Sequence, residues 1–414
     1  MSKKPVLHKD YGNRFPKLRF RKFLFYTLTG CFLLAVFWTP AIGQEMAGHI
    51  KIFMCGDVMS GRGIDQVLPH PSDPVIYEPY LKSAKGYVKL AEEASGLIQQ
   101  PVSFAYIWGD SLDELDRVAP HVRLINLETS ITNSDDYWKG KGINYRMHPR
   151  NIDSLTAAGI DACTLANNHV LDWGYAGLSE TLESLKTIGI KTAGAGRNAA
   201  EAGAPAVLPV PGTGRVLVFA FGLTSSGIPL SWAAGEDRAG VNLLPDLSDR
   251  SVRQIQIKIQ EVKRAGDIVV VSIHWGGNWG YAISRKQTRF AHRLIDDGVA
   301  DIIHGHSSHH VKAVEVYRDR LILYGCGDFL NDYEGIGGYE EFRADLSLMY
   351  FATVNSANGK LVSVQMIPTQ IRRFKVNRTS RSAAMWLMNT LNREGALFGT
   401  RVKLDRNNRL TLHW

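Results

Sequence analysis

Cysteine is scarce. The chain has four in 414 residues, Cys31, Cys55, Cys163 and Cys326, which excludes a small fold stapled by disulfides. The last three cannot all pair within one chain. Each closes an apolar run just before a polar motif, so they read as buried packing residues, with a catalytic or ligand thiol as the alternative. Internal repeats and low-complexity tracts are also absent. An excess of one charge is missing from most of the chain as well. The net charge is +8, but Lys3, Lys4, Lys9, Arg14, Lys17, Arg19, Arg21 and Lys22 stand against a single Asp10 in the first 22 residues. The remainder is close to neutral, which discounts nucleic acid as a partner.

After this basic tail (residues 1–22), residues 23–43 form an apolar run without a charged side chain, about the ~20 residues needed to cross a hydrocarbon core. A basic flank before it and polar Gln44-Glu45 after it predict a cytoplasmic tail and an exported remainder. Three outcomes fit the run: an uncleaved transmembrane anchor, cleavage after Ala41-Ile42-Gly43, or lipidation at Cys31 within Leu28-Thr29-Gly30-Cys31. The expected location is the cell membrane with the main domain outside the cytoplasm, or a secreted or lipid-anchored form.

From residue 49 short β-rich runs alternate with helical patterns, the signature of an α/β fold. Strands are expected at 50–55, 122–127, 162–166, 216–221, 268–273, 302–303, 313–317 and 321–324. Helices are expected at 87–98, 152–158, 177–188, 250–264 and 286–297. The Pro- and Gly-rich stretches 69–79, 203–214 and 335–338 read as loops. Beyond residue 341 come two successive strands (346–354 and 361–368), a helix near 383–391 and a last strand at 410–413. The expected organisation is one domain over 49–340, completed by 341–414.

Strand after strand ends in a polar cluster, at the edge where α/β sheets place their ligand sites. The clusters are Gly56-Asp57-Val58-Met59-Ser60-Gly61-Arg62, Asn126-Leu127-Glu128-Thr129, Asn167-Asn168-His169, Ser272-Ile273-His274-Trp275-Gly276 and His304-Gly305-His306-Ser307-Ser308-His309-His310. Oxygen donors from Asp57, Glu128 and Asn168 with imidazoles from His274, His306 and His309 suit a borderline divalent ion such as manganese, zinc or iron, one or two per chain. Two ions bridged by a carboxylate would activate a shared water and clamp a phosphoryl or acyl oxygen. His169 would protonate a leaving group. Taken singly, each residue reads as readily as a cap or a packed histidine.

As an ordered set these motifs, with Tyr324-Gly325-Cys326-Gly327-Asp328-Phe329, resemble those of the CapA family of poly-γ-glutamate capsule biosynthesis, over residues 51–331. The resemblance implies a fold similar to the calcineurin-like metallophosphoesterases: a β-sandwich flanked by helices. It also implies an anionic polymer such as poly-γ-glutamate and membrane polymer-synthase subunits as partners. Against the phosphoesterase pattern, Met59 stands where a His ligand belongs, and His309 follows His306 by three residues instead of two. Asn168, His274 and His306 form the better-kept half.

Arg62, Arg146, His148 and Trp275 are candidate substrate contacts. Arg62 and Arg146 read equally as salt-bridge partners and Trp275 as packing. Asp328 and the acidic loop at 332–334 would add an oxygen ligand or orient a histidine. Three functions follow: a polymer enzyme or assembly factor, a surface metallophosphoesterase, or a non-catalytic polymer-binding module.

Overall fold

A computed structural model describes residues 48–414; the basic tail and the apolar run at 23–43 lie outside the described residues. Among the described residues no helix is long and apolar enough to cross a membrane. Two mixed sheets form the frame, and sixteen strands build them. They are β1 (His49–Val58), β2 (Val122–Leu127), β3 (Ala162–Thr164), β4 (Lys191–Ala193), β5 (Ala206–Val210), β6 (Gly214–Gly222), β7 (Asp267–His274) and β8 (Ile302–His306). The rest are β9 (Val314–Tyr317), β10 (Arg320–Leu323), β11 (Asp328–Leu330), β12 (Leu346–Asn355), β13 (Leu361–Ile371), β14 (Val376–Arg378), β15 (Arg401–Leu404) and β16 (Leu410–His413). Sheet one runs β15-β16-β13-β12-β1-β2-β3-β4, with β11 beside the end of β1 and β14 on β13; sheet two runs β9-β10-β8-β7-β6-β5.

The strands of sheet two are apolar on both faces because both are covered. Val216, Val218, Ala220, Ile268, Val270 and Ile302 join the core shared with sheet one. Their neighbours Leu217, Phe219, Phe221, Val269, Val271 and Ile303 join a second core with the helices Asp249–Gln260 and Arg285–Asp296. Each such buried side chain contributes about 1.5–3 kcal/mol. The helices are amphipathic to match, turning Val252, Ile255 and Ile259, and Phe290, Ala291 and Leu294, to this core. Ser284 and Gln287 close a capping box at the start of the second helix, satisfying donors its first turn would leave open. The alternation of faces continues past the apolar residues. Ser272, His274, His304 and His306 share the parity of Ile268, Val270 and Ile302, so they fall on the side facing sheet one.

Two expectations differ from the structure. Residues 203–214, expected as a loop, contain β5, which pairs antiparallel with β6. Ala206, Leu208 and Val210 are buried there while Pro209 is exposed, so the proline sits at a sheet edge, where its missing donor costs little. The strand expected at 302–303 runs on to His306, because His304, Gly305 and His306 stay in register with Ser272, Ile273 and His274. The C-terminal strands β12 and β13 lie in sheet one, β12 antiparallel to β1.

The registers of β1 shift just before Asp57. Lower down β12 is its neighbour, whereas at Asp57 its neighbours are Asp328 of β11 and Asn126 of β2. This crossing is tight, since a Cβ on Gly56 would lie 1.6 Å from the carbonyl oxygen of Gly327. Gly56→Ala is therefore expected to cost about 3 kcal/mol or more. Chemical denaturation should show a lowered midpoint, and an unchanged midpoint would mean that this close approach is not required.

Candidate metal centre

Five elements bring the site together at the ends of their strands. Asp57 is the last residue but one of β1, Glu128 follows β2, Asp328 opens β11, and His274 and His306 end β7 and β8 as register partners. All are buried. They form two groups, Asp57–His274–His306 and Asp57–Glu128–Asp328, and in each the possible ligand atoms lie within 4.8 Å of one another. Asp57 belongs to both.

Asp57 is held from two sides. Asn126 donates to its Oδ1 at 2.7 Å and the backbone N–H of Ser307 to its Oδ2 at 3.1 Å. Ser307 reaches it through a left-handed backbone, φ +99°, a conformation that is costly for a residue with a side chain. Burial, and then the charge of Asp328, raise the Asp57 carboxyl from 3.8 to about 7. Burial with Asp57 and Asp328 pushes Glu128 well up too. The Asp328 Oδ1 is buried without a hydrogen-bond partner. Its Oδ2 meets His309 Nδ1 at 2.8 Å and accepts from Asn331 at 2.9 Å. Burial works against a charge on His309, but Asp328 outweighs it and the imidazole is raised.

On the histidine side a chain of hydrogen bonds decides which ring nitrogens carry protons. His304 Nε2 meets the Cys55 carbonyl at 2.7 Å, and a carbonyl only accepts, so Nε2 holds the hydrogen. Burial lowers His304 to about 4, so the ring is neutral and its Nδ1 accepts the Ser272 hydroxyl hydrogen at 3.1 Å. With that hydrogen committed, Ser272 Oγ accepts from His306 Nε2 at 2.8 Å. His306 Nδ1 is left as a bare lone pair, burial holding this ring well below its ordinary value. His274 Nε2 faces Asn168 Oδ1 at 2.9 Å, which gives it the same tautomer. The two Nδ1 atoms are 2.7 Å apart, and two lone pairs at that distance repel unless a cation or proton lies between them. Three clustered carboxylates, one bare carboxylate oxygen and two opposed imidazole lone pairs therefore fit a divalent cation.

His169 stands at the edge of this centre, its Nε2 3.8 Å from Glu128 Oε1. Its Nδ1 bonds Asp172 at 2.6 Å and its ring stacks on Tyr145 with centroids 3.8 Å apart. Lys141 lies 2.6 Å from Asp172 and 2.9 Å from His169 Nδ1. Burial lowers His169 to about 4, so the imidazole is neutral with Nδ1–H given to Asp172 and Nε2 directed to the centre.

Asp57, Glu128, Asn168, His274 and His306 thus converge, His309 joins through Asp328, and His169 adjoins them. The candidate substrate residues are engaged by other partners. Arg62 donates to Asp332 at 2.9 and 2.5 Å and to Glu78 at 2.8 Å, with its guanidinium 3.5 Å over Tyr87. Arg146 pairs with Asp135 at 2.8 Å and lies over Trp173. His148 caps the short turn Pro149–Asn151 by accepting from the Arg150 N–H. Trp275 is buried in the second core and donates to the Tyr324 carbonyl at 3.0 Å. Lys141 escaped sequence reasoning, and Ser272 and His304 stood in the strand-end clusters without a role. Ser272 and His304 alternate with apolar residues in step with the two site histidines, and this parity is a signal that could have found them.

The model of the bacterial capsule synthesis protein family PGA_cap matches residues 51–333. A probable polyglutamine synthesis accessory protein of Mycobacterium tuberculosis is 46% identical over 369 residues, 88% of this chain and 97% of that protein. The capsule biosynthesis protein CapA of Bacillus anthracis is 25% identical over 283 residues, 68% of this chain and 60% of that one. A solved structure described as a novel phosphatase from Mycoplasma pneumoniae aligns with a TM-score of 0.43 at 12% identity, over 81% of this chain and 96% of the other.

Ser272→Ala frees the His306 ring to turn or to change tautomer. It should weaken divalent-ion binding by about 10–100-fold with the fold intact, as read by calorimetric titration and by nitrogen NMR of His306; equal affinity in the variant would refute the relay. A pH effect follows from Asp57. A carboxyl raised in the folded state, here to about 7, contributes stability below its unfolded value, and this is lost as pH rises through 7. Manganese should therefore raise the melting temperature more at pH 8 than at pH 5.5. Asp57→Asn should abolish that difference, and a manganese effect independent of pH would contradict the carboxylate cluster as its site.

Proposed function

Because the chain belongs to the bacterial capsule synthesis family PGA_cap, we propose that it is an exported, membrane-tethered accessory factor of poly-γ-glutamate or related capsule synthesis, whose outer domain acts through a divalent-metal centre. The observation that carries the reading is Asp57, a single buried carboxylate common to a carboxylate group and a histidine group. Asp57, His274 and His306 would hold one ion, with Asn168 orienting His274 through its Nε2, and Asp57, Glu128 and Asp328 would hold a weaker second, with His309 orienting Asp328. The mixed oxygen and nitrogen donors suit manganese, zinc or iron. Such an ion supplies Lewis-acid polarisation of a phosphoryl or acyl oxygen. The protein's own part is to keep His169 oriented: Asp172, itself paired with Lys141, fixes Nδ1–H, Tyr145 holds the ring plane, and Nε2 is left to exchange a proton with a substrate oxygen. The basic tail and residues 23–43 support tethering with the tail inside.

A second reading, hydrolysis of phosphate esters at the cell surface, draws on that oriented histidine, since a polymer-binding module has no use for one. Elemental analysis of the purified chain separates the cases. One or two transition-metal ions per chain, lost in an Asn168→Ala, His274→Ala variant that stays folded, is the expected result. With metal present, His169→Asn should lower turnover of any ester or amide substrate by about 10²–10⁴-fold while metal content stays the same. A chain that takes up no metal under any loading condition would leave only the binding module. Protease treatment of intact cells should remove the main domain while sparing the tail; full protection would overturn export.

A further inference from the structure

A cleft of about 820 Å³ opens beside the centre, reaching it at His309, Tyr145, Asn331 and Tyr333. This volume is in the range of cavities that enclose a small ligand. Its walls are mostly apolar, with Leu81, Leu90, Ile336, Tyr339 and Trp279 among them. Trp279 and Tyr339 stack with ring centroids 4.1 Å apart. At the rim Tyr80, Ile336 and Tyr339 are 66%, 50% and 49% exposed, a concentration of large apolar surface that water alone does not favour.

The charges lining the cleft cancel. Arg62, Arg343 and Arg372 line it together with Glu334, Glu340 and Asp345. Arg62 is fully engaged by Asp332 and Glu78, and Arg343 is bidentate on Asp345 at 2.7 and 2.8 Å. Among the described residues only Arg372 of these three cations has no carboxylate partner. A chain carrying a carboxylate on every residue would set several anions against walls with almost no free cation, and unpaired buried charge is costly. A sugar chain would want hydrogen bonds where the walls offer Leu81, Leu90 and Ile336. Apart from Arg372, attraction for an anion would come only from a cation held at the inner end, where the ligand groups of the centre gather.

We propose that this cleft holds the uncharged hydrocarbon tail of an amphiphilic phosphate ester, whose phosphate lies against the centre and whose tail runs between Leu81, Leu90 and Ile336. The head group rests on the metal reading given above, and the tail does not. The test is calorimetric titration of the full chain with inorganic phosphate, hexyl, octyl and decyl phosphate below their micelle concentrations, and a γ-linked glutamate pentamer, with and without manganese. Affinity should rise about fourfold per added methylene. Ile336→Asp should flatten that rise and leave inorganic phosphate binding unchanged, while Ile336→Leu should keep it; comparison with the Asp variant also removes any contribution of residues 23–43. Affinity that does not vary with tail length, or a glutamate pentamer bound more tightly than decyl phosphate, would overturn the proposal. A steep dependence on tail length with head affinity indifferent to manganese would uphold the cleft and count against the metal centre instead.

Discussion

The structure turns on one buried carboxylate. Asp57 sits where β1 exchanges β12 for β11, within reach of Glu128 and Asp328 on one side and His274 and His306 on the other. Several local features exist to hold it: Asn126 from β2, the left-handed Ser307, and the crossing at which Gly56 meets Gly327. Lys141, a buried cation nearby, is committed to Asp172. The three carboxylates must therefore share protons or accept a cation, which is why burial and mutual repulsion raise Asp57 and Glu128 together.

The two sheets divide the chemistry. Sheet one supplies the carboxylates through β1, the segment after β2, and β11; sheet two supplies the imidazoles through β7 and β8. The centre exists only when the sandwich is closed, so the apolar contact between the sheets is also what assembles the donors. The His304 link to the Cys55 carbonyl crosses the same gap. It couples the tautomer of His306 to the backbone of β1, and packing, tautomer and ligand geometry become one arrangement.

Arginine is used for bracing. Arg62 holds the loop of Asp332 and the segment of Glu78 together under three aromatic rings, and Arg146 does the same for Asp135 over Trp173. A guanidinium so placed has its charge already balanced. It shapes the wall of the cleft and leaves a cation held at the centre as what would attract an anionic group.

Sequence alone determined the class of fold, most of the longer strands and the strand-end residues Asp57, Glu128, Asn168, His274 and His306. Each lies at the end of an apolar run, and strand periodicity is a local property. It also contained the family motifs, since these are contiguous. What it left open is long-range. Asp328 is 271 positions from Asp57, and only the insertion of β11 beside β1 makes them register partners. β5 was hidden because Pro209 signals a loop until a sheet edge accommodates it. The fate of Arg62, the burial of Trp275 and the relay through Ser272 and His304 depend on partners distant in the chain. Tertiary structure decided these, because the pairing, burial and protonation of a side chain follow from what the closed sandwich places beside it.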